Sequence, residues 1–222
     1  MLDKTEKDNQ TLIGFWDKAF ALSEEQQAEM RNQSPESWKE LAPCEKLFRA
    51  AGSLGQKKKV LDYGCGDAWA GIIAAKNGCA DVTAADAAPG AVRAARLAAE
   101  VCGVEEYVHV VCGAADWLRS IPSGTFDGLI CSNVLDVVPP ETAETILRES
   151  VRIVTQDAGV IIGLNYYLSP EAAAARGMEL TDGNRLYIDG VLRLVSRTDG
   201  EWTRIFSPWY TVERLEHFAW PG

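Results

Sequence analysis

VLDYGCGDAWAG (60–71) decides the fold class of this chain: a short apolar run ends at Gly64, turns through Gly66 and enters an Ala-rich apolar segment that Gly78 closes. A strand running into a glycine turn and then a helix is the opening unit of a β–α–β crossover. Gly64 and Gly66 have no side chains, so a ligand can approach the backbone closely, and the helix that follows offers free N–H groups. Asp86 ends the next strand 20 residues after Gly66, where a carboxylate can bind a ribose hydroxyl. Nicotinamide and flavin enzymes share that pair, and the third glycine position separates the classes. A dinucleotide loop needs Gly or Ala where this chain has Trp69, so the indole points to a cofactor that carries adenosine without a pyrophosphate.

Working outward, DVTAAD (81–86), YVHVVC (107–112), FDGLICSNVL (126–135) and GVIIGLNYY (159–167) read as strands two to five. Val92, Ala95, Ala99 and Cys102 mark the inner face of one intervening helix, which Gly103 stops. Pro140 opens another, with Ala143, Ile146, Leu147, Val151 and Val154 inward. Helices of about a dozen residues between apolar strands imply right-handed crossovers and a doubly wound, mostly parallel α/β sheet covered on both faces.

Upstream, Ile13, Trp16 and Phe20 share one helical face, Ser23 and Gln26 fit a capping box, and Ser34-Pro35 fits a helix start. Pro43 should interrupt or restart the next helix, which ends near Gly52. Downstream, SPEAAAARGM (169–178) reads as a short helix. Leu192, Leu194, Thr203 and Ile205 flank Asp199-Gly200 as an antiparallel hairpin, and TVERLEHF (211–218) reads as a last helix. The expected organisation is one compact unit with an N-terminal helical cap (1–55), a cofactor-binding α/β core (56–167) and a small cap hairpin with a last helix (168–222).

The chain has 22 Lys+Arg against 32 Asp+Glu, a net charge of −10, which argues against gripping a phosphate backbone; the one basic run, Lys57 to Lys59, reads as a solvated loop. Two histidines and six cysteines without a CxxC pair argue against a metal site and for reduced thiols in a cytoplasmic protein. The start is polar, unlike a signal peptide, and no apolar run approaches the ~20 residues of a membrane span.

In combination and in order, LDYGCGDAW, VTAADAAPGAVRAAR, VVCGAADWL and FDGLICSNVLDVV resemble the class I S-adenosylmethionine-dependent methyltransferases, specifically small bacterial ones related to quinone-biosynthesis methyltransferases, over residues 58–167. The resemblance implies a Rossmann-like methyltransferase fold with S-adenosylmethionine as cofactor and S-adenosylhomocysteine as product. It implies that Asp62 orients the amino-acid end of the cofactor and that Gly64 and Gly66 let the loop pass close beneath it. Asp86 would take the ribose hydroxyls, Ala87 would pack on adenine, Ala115 and Asp116 would line its edge, and Asn133 would face the methyl-transfer region.

Three departures stand out: Ala68 replaces a common loop glycine, Gly113-Ala114-Ala115 replaces Gly-Asp-Ala, and the chain stops at Gly222 where relatives add an antiparallel strand pair. The last implies either truncation, or five parallel strands whose edge the hairpin or another subunit covers.

On the substrate side the candidates are Trp16, Phe20, Tyr166 and Tyr210, with packing as the competing role for each. Asp136, after strand four, is a candidate base, with an exposed loop carboxylate as the favoured reading, and neither His109 nor His217 reads as a base. Aromatic content in the flanking segments favours a small, partly hydrophobic methyl acceptor. The expected protein is a monomer or homodimer that binds no nucleic acid and no membrane. Competing readings are a non-catalytic S-adenosylmethionine-binding regulator, an RNA or protein methyltransferase, and an NAD-dependent oxidoreductase.

Overall fold

The computed structural model describes residues 3–219. Three helices precede the core: α1 (Lys4–Ala19), α2 (Glu24–Arg31) and α3 (Glu45–Ser53), with a 3-10 turn over Pro35–Glu40. Asp3 caps α1, and Ser23 and Gln26 form the expected capping box on α2. Ser34 caps the proline-initiated segment, but it winds as a 3-10 turn rather than an α-helix.

The core alternates β1 (Val60–Tyr63), α4 (Trp69–Lys76), β2 (Val82–Asp86), α5 (Pro89–Val101), β3 (Val108–Cys112), the one-turn α6 (Ala115–Leu118), β4 (Phe126–Ser132), α7 (Pro140–Ile153) and β5 (Val154–Gly163). All five strands are parallel, in the order β3-β2-β1-β4-β5. The chain winds one way from β1 through β3 and then returns to β4, so the strand order reverses between β1 and β4. A crevice opens at the carboxyl ends of such a pair, which is where open parallel sheets take ligands.

Pleating sends successive residues to opposite faces. Val60, Val82 and Ile130 pack with Ile72, Ile73 and Ala95 on one side, whereas Leu61, Leu129 and Cys131 pack with Ile146, Leu147 and Ile153 on the other. Strand five begins at Val154, earlier than its apolar run suggests, because Phe126 and Val154 pair ahead of an irregularity in the ladder. Val154 is therefore strand rather than helix. Among the described residues no helix is long and apolar enough to cross a membrane.

The cap after β5 differs from the sequence expectation in two places. The short helix is present as α8 (Pro170–Ala175), and β6 (Leu180–Thr181), β7 (Arg185–Ile188) and β8 (Val191–Val195) make a three-stranded antiparallel sheet. Its tight hairpin, however, turns at Asp189-Gly190, not Asp199-Gly200. Asp189 and Gly190 have φ of 52° and 76°, the paired left-handed geometry of a two-residue hairpin turn. Asp199-Gly200 instead opens helix α9 (Asp199–Phe206), because Thr198 and Glu201 cap its first turn reciprocally. Trp202 and Phe206, one turn apart and buried, stack at 5.5 Å on that helix.

The expected helix over 211–218 is not formed. Val212 and Leu215 are exposed, so the segment has no apolar surface to bury, and an eight-residue helix without such packing is unstable. It is held instead by Lys46, whose ammonium donates to the His217 carbonyl at 2.6 Å, and by a 3.0 Å His217–Asp199 contact. The end of the chain at Gly222 lies outside the described residues.

Candidate functional site

Beneath the glycine loop, Asp62 accepts the Gly71 N–H at 2.8 Å. Helix α4 begins after Ala68, a left-handed residue (φ 62°) that supplies no side-chain cap, so one of the helix's orphan N–H groups is satisfied from the strand below. Asp62 is 4% exposed, and burial pushes its carboxyl up to about 8. It does not line the cavity that the loop borders. Expected against the cofactor, this carboxylate is placed as a strut of the loop.

Gly64 and Gly66 have φ of 68° and 56°, which an L side chain rarely adopts. A Cβ on Gly64 would stand 2.2 Å from Val134 Cγ2, and one on Gly66 would stand 2.8 Å from Phe20 Cζ. Both glycines thus answer to protein neighbours as well as to any ligand. Asp86 accepts the Gly66 N–H at 3.0 Å and the Ala88 N–H at 2.8 Å, which joins the loop to the start of α5. Burial raises the pKa of its carboxyl, and these backbone donors pull it back down.

The crevice is a cavity of about 720 Å³. Gly64, Gly66, Asp86, Ala87, Ala115 and Asp116 border one part of it, together with Asn133 from the loop after β4. Asn133 sits at φ 57°, its N–H bonded to the Gly163 carbonyl at 2.9 Å, a strained setting that asparagine tolerates better than most residues. Asp116 is paired with Arg119 at 2.9 Å. Asp67 and Trp69 also face the cavity, so the residue that argued against a dinucleotide is itself part of the wall.

Helix α1 forms the opposite wall through Trp16 and Phe20. It is pinned on both sides of the opening. Asp17 accepts the Gly90 N–H of α5 at 2.6 Å and lies 3.6 Å from Arg93; Asn9 and Thr142 of α7 exchange hydrogen bonds at 2.9 and 3.2 Å. The cap sheet buttresses the helix from outside, with Tyr187 donating to Asp8 at 2.9 Å and the Arg193 guanidinium 4.0 Å from the Phe15 ring centroid.

Two substrate-side candidates lie elsewhere. Tyr166 is 58% exposed and bonded to Arg176, and Tyr210 bonds Ser150 at 2.7 Å on the α7 side; neither borders the cavity. Asp136 is no exposed loop carboxylate: it is 1% exposed and accepts from the backbone N–H and, at 2.9 Å, the side chain of Asn165. Its main-chain carbonyl accepts from Val195 of the cap at 2.6 Å. Sequence reasoning missed Thr5, Asn9, Glu141 and Thr142 on the cavity wall. The signal was available for the first two: Thr5, Asn9, Ile13, Trp16 and Phe20 continue one helical stripe at spacings of three and four.

A glycine turn at a strand-order reversal, a carboxylate at the end of the next strand and an adjoining cavity form the arrangement in which open parallel α/β sheets take ligands. Residues 60–157 match the family described as methyltransferase domain. No curated protein matches the chain.

Among solved structures, the 1,6-didemethyltoxoflavin-N1-methyltransferase of Burkholderia thailandensis, with 1,6-didemethyltoxoflavin and S-adenosylhomocysteine bound, is similar at a TM-score of 0.63 and 17% identity. The match covers 94% of this chain and 80% of that one. The PH0226 protein of Pyrococcus horikoshii matches at 0.60 and 20% identity, covering 74% and 78% of the two chains. An S-adenosylmethionine-dependent methyltransferase of Mesorhizobium loti matches at 0.58 and 21%, covering 72% and 77%. At these identities the likeness is one of fold, and it does not single out the quinone-biosynthesis branch.

Proposed function

We propose that the chain transfers the methyl group of S-adenosylmethionine to a small-molecule acceptor by in-line displacement. The observation that carries this is one cavity of about 720 Å³ that runs from the Gly64–Gly66 loop and Asp86 to a second wall made by α1 and α7. It has room for a cofactor and an acceptor side by side.

The residues present fit the cofactor. Each Asp86 oxygen accepts one backbone N–H and keeps a second lone pair, so the carboxylate can also receive ribose hydroxyls. Asp116 and Ala115, which border the cavity, would line the adenine edge, and Ala87, next to Asp86, is small enough to let a ring lie against it. When bound, the cofactor supplies an activated methyl on a sulfonium, which leaves the protein to align the acceptor and exclude water. Trp16 and Phe20 on α1 shield the loop side, while Val134, Val137 and Val138 supply an apolar wall after β4. Asp62 and Asn133 act on geometry: one holds α4 against the sheet and the other holds the turn after β4.

Calorimetric titration with S-adenosylmethionine, S-adenosylhomocysteine and NAD tests the reading. Binding of the first two without NAD is the expected result; binding of NAD alone would refute it. A protein that binds the first two yet methylates nothing in a broad screen of small acceptors would be a cofactor-binding regulator instead.

A further inference from the structure

We infer that the methyl acceptor is a cationic amphiphile, a small molecule with a protonated amine at one end of an apolar body; the inference rests on the methyltransferase reading of the same cavity. Helix α1 spans that cavity lengthwise. From Phe20, against Gly66, to Glu6 is 14 residues, or about 21 Å of helix. The cavity is therefore long enough to have two chemically distinct ends.

The end away from the loop is polar and acidic. Thr5, Glu6, Asn9 and Gln10 come to it from α1, and Glu141 and Thr142 from the first turn of α7. Thr5 contacts Glu141 at 3.4 Å and Asn9 is satisfied by Thr142. Among the described residues the Glu6 and Gln10 side chains have no hydrogen-bond or ion-pair partner, so their acceptor oxygens stay available to a ligand. Between this end and the loop the wall is apolar, with Leu12, Ile13, Val138 and Ile146.

Charge decides the sign of the ligand. Among the described residues the cavity wall carries five carboxylates (Glu6, Asp67, Asp86, Asp116 and Glu141) and one cation, Arg119, already paired with Asp116 at 2.9 Å, with no Lys and no His. Recognition of a carboxylate or phosphate uses Arg or Lys donors, and none is free here. Among the described residues that line the far end, the positive feature is the amino terminus of α7, which Glu141 in its first turn offsets. Apolar walls focus the field of the acidic rim, so an ammonium group is drawn in and an anion repelled. The apolar middle then takes the body of the same molecule.

The test uses the full chain saturated with S-adenosylhomocysteine and two matched probe pairs: 3-phenylpropylamine against 3-phenylpropionate, and tryptamine against indole-3-propionate. Equilibrium binding is read by calorimetry. The amines should bind at least about tenfold more tightly than the acids, with the preference falling as salt rises. In the double variant Glu6→Gln, Glu141→Gln the ratio should shrink to about threefold or less, while affinity for S-adenosylhomocysteine holds and so reports an intact fold. If S-adenosylhomocysteine itself does not bind, the cofactor reading fails and takes this inference with it. If it binds but the acids match the amines, or neither amine binds, the acceptor inference alone is overturned.

Discussion

The ring of Phe20 lies against Gly66: a Cβ at position 66 would approach Phe20 Cζ to 2.8 Å, so the N-terminal helix rests on a loop position that has no side chain. Gly64 faces a less forgiving neighbour, since Val134 Cγ2 would be only 2.2 Å away. The aromatic tip can swing aside, whereas a β-branched valine has one strongly preferred rotamer. Gly66→Ala should therefore cost about 1–2 kcal/mol, mostly for the left-handed backbone. Gly64→Ala should cost about 2–5 kcal/mol, because overpacking is added to the same backbone term. Urea denaturation of the two variants checks the order; equal losses would show that Val134 moves freely.

Asp62 is neutral in the folded protein up to about pH 8 because burial disfavours its charge. In the unfolded chain it ionises in the ordinary carboxylate range, so between those two points the folded state holds the extra proton. Stability from this group is present at low pH and lost as pH rises toward 8. Asp62→Asn keeps an acceptor for the Gly71 N–H and removes the titration. Its melting temperature should overtake that of the parent protein as pH increases from 5 to 9. Asp62→Ala leaves that N–H buried and unpaired, at a cost of about 1–3 kcal/mol throughout.

Asp86→Ala removes the carboxylate that would hold the ribose. Loss of a charge-assisted site should weaken S-adenosylhomocysteine by about 1.5–3 kcal/mol. Calorimetry at fixed ionic strength measures it, and unchanged affinity would disprove the ribose contact. The same variant loosens Gly66 and Ala88, whose N–H groups it leaves without their partner, so amide exchange should quicken at both.

Asp17 is the anchor of α1 on the α5 side, through Gly90 at 2.6 Å and Arg93 at 3.6 Å. Asp17→Ala should raise amide exchange along α1 by about tenfold or more, corresponding to ~1.4 kcal/mol, with little change in β1 or β4. Uniform exchange across the core would mean that the helix is held by its apolar face alone.

Asp136 ties the loop after β4 to Asn165 and to the cap at Val195. Burial raises its pKa, so its contribution to stability also declines as pH climbs above the ordinary carboxylate range. Its Oδ1 has no partner among the described residues. Asp136→Asn should be close to neutral near pH 7, because the amide keeps an oxygen for Asn165. Asp136→Ala should cost about 1–3 kcal/mol, as a chemical denaturation curve would show.

Much of this site was legible in the residues. Gly64, Gly66 and Asp86, which border the cavity, could be picked out as a candidate cofactor loop because backbone approach and a carboxylate at strand end are local requirements, met by spacing. The hairpin was legible too, but at the other Asp-Gly pair: the Thr198-x-x-Glu201 capping signal assigns 199–200 to a helix and leaves 189–190 for the turn. Asp62, Tyr166, Tyr210 and Asp136 could not be placed from their neighbours in the chain, since each depends on what a distant segment brings against it.

Five parallel strands, their crossovers and the glycine turn after the first of them were readable in the sequence, because periodicity, glycine spacing and helix caps act within a few residues. Packing between distant elements places α1 along the cavity, brings Glu6 and Glu141 to its acidic end, and buries Asp62 and Asp136 against backbone donors away from the cavity wall. Those outcomes turn on which surfaces meet. Burial and pairing across more than a hundred residues of chain are set by the packing of whole elements, and no local pattern encodes them.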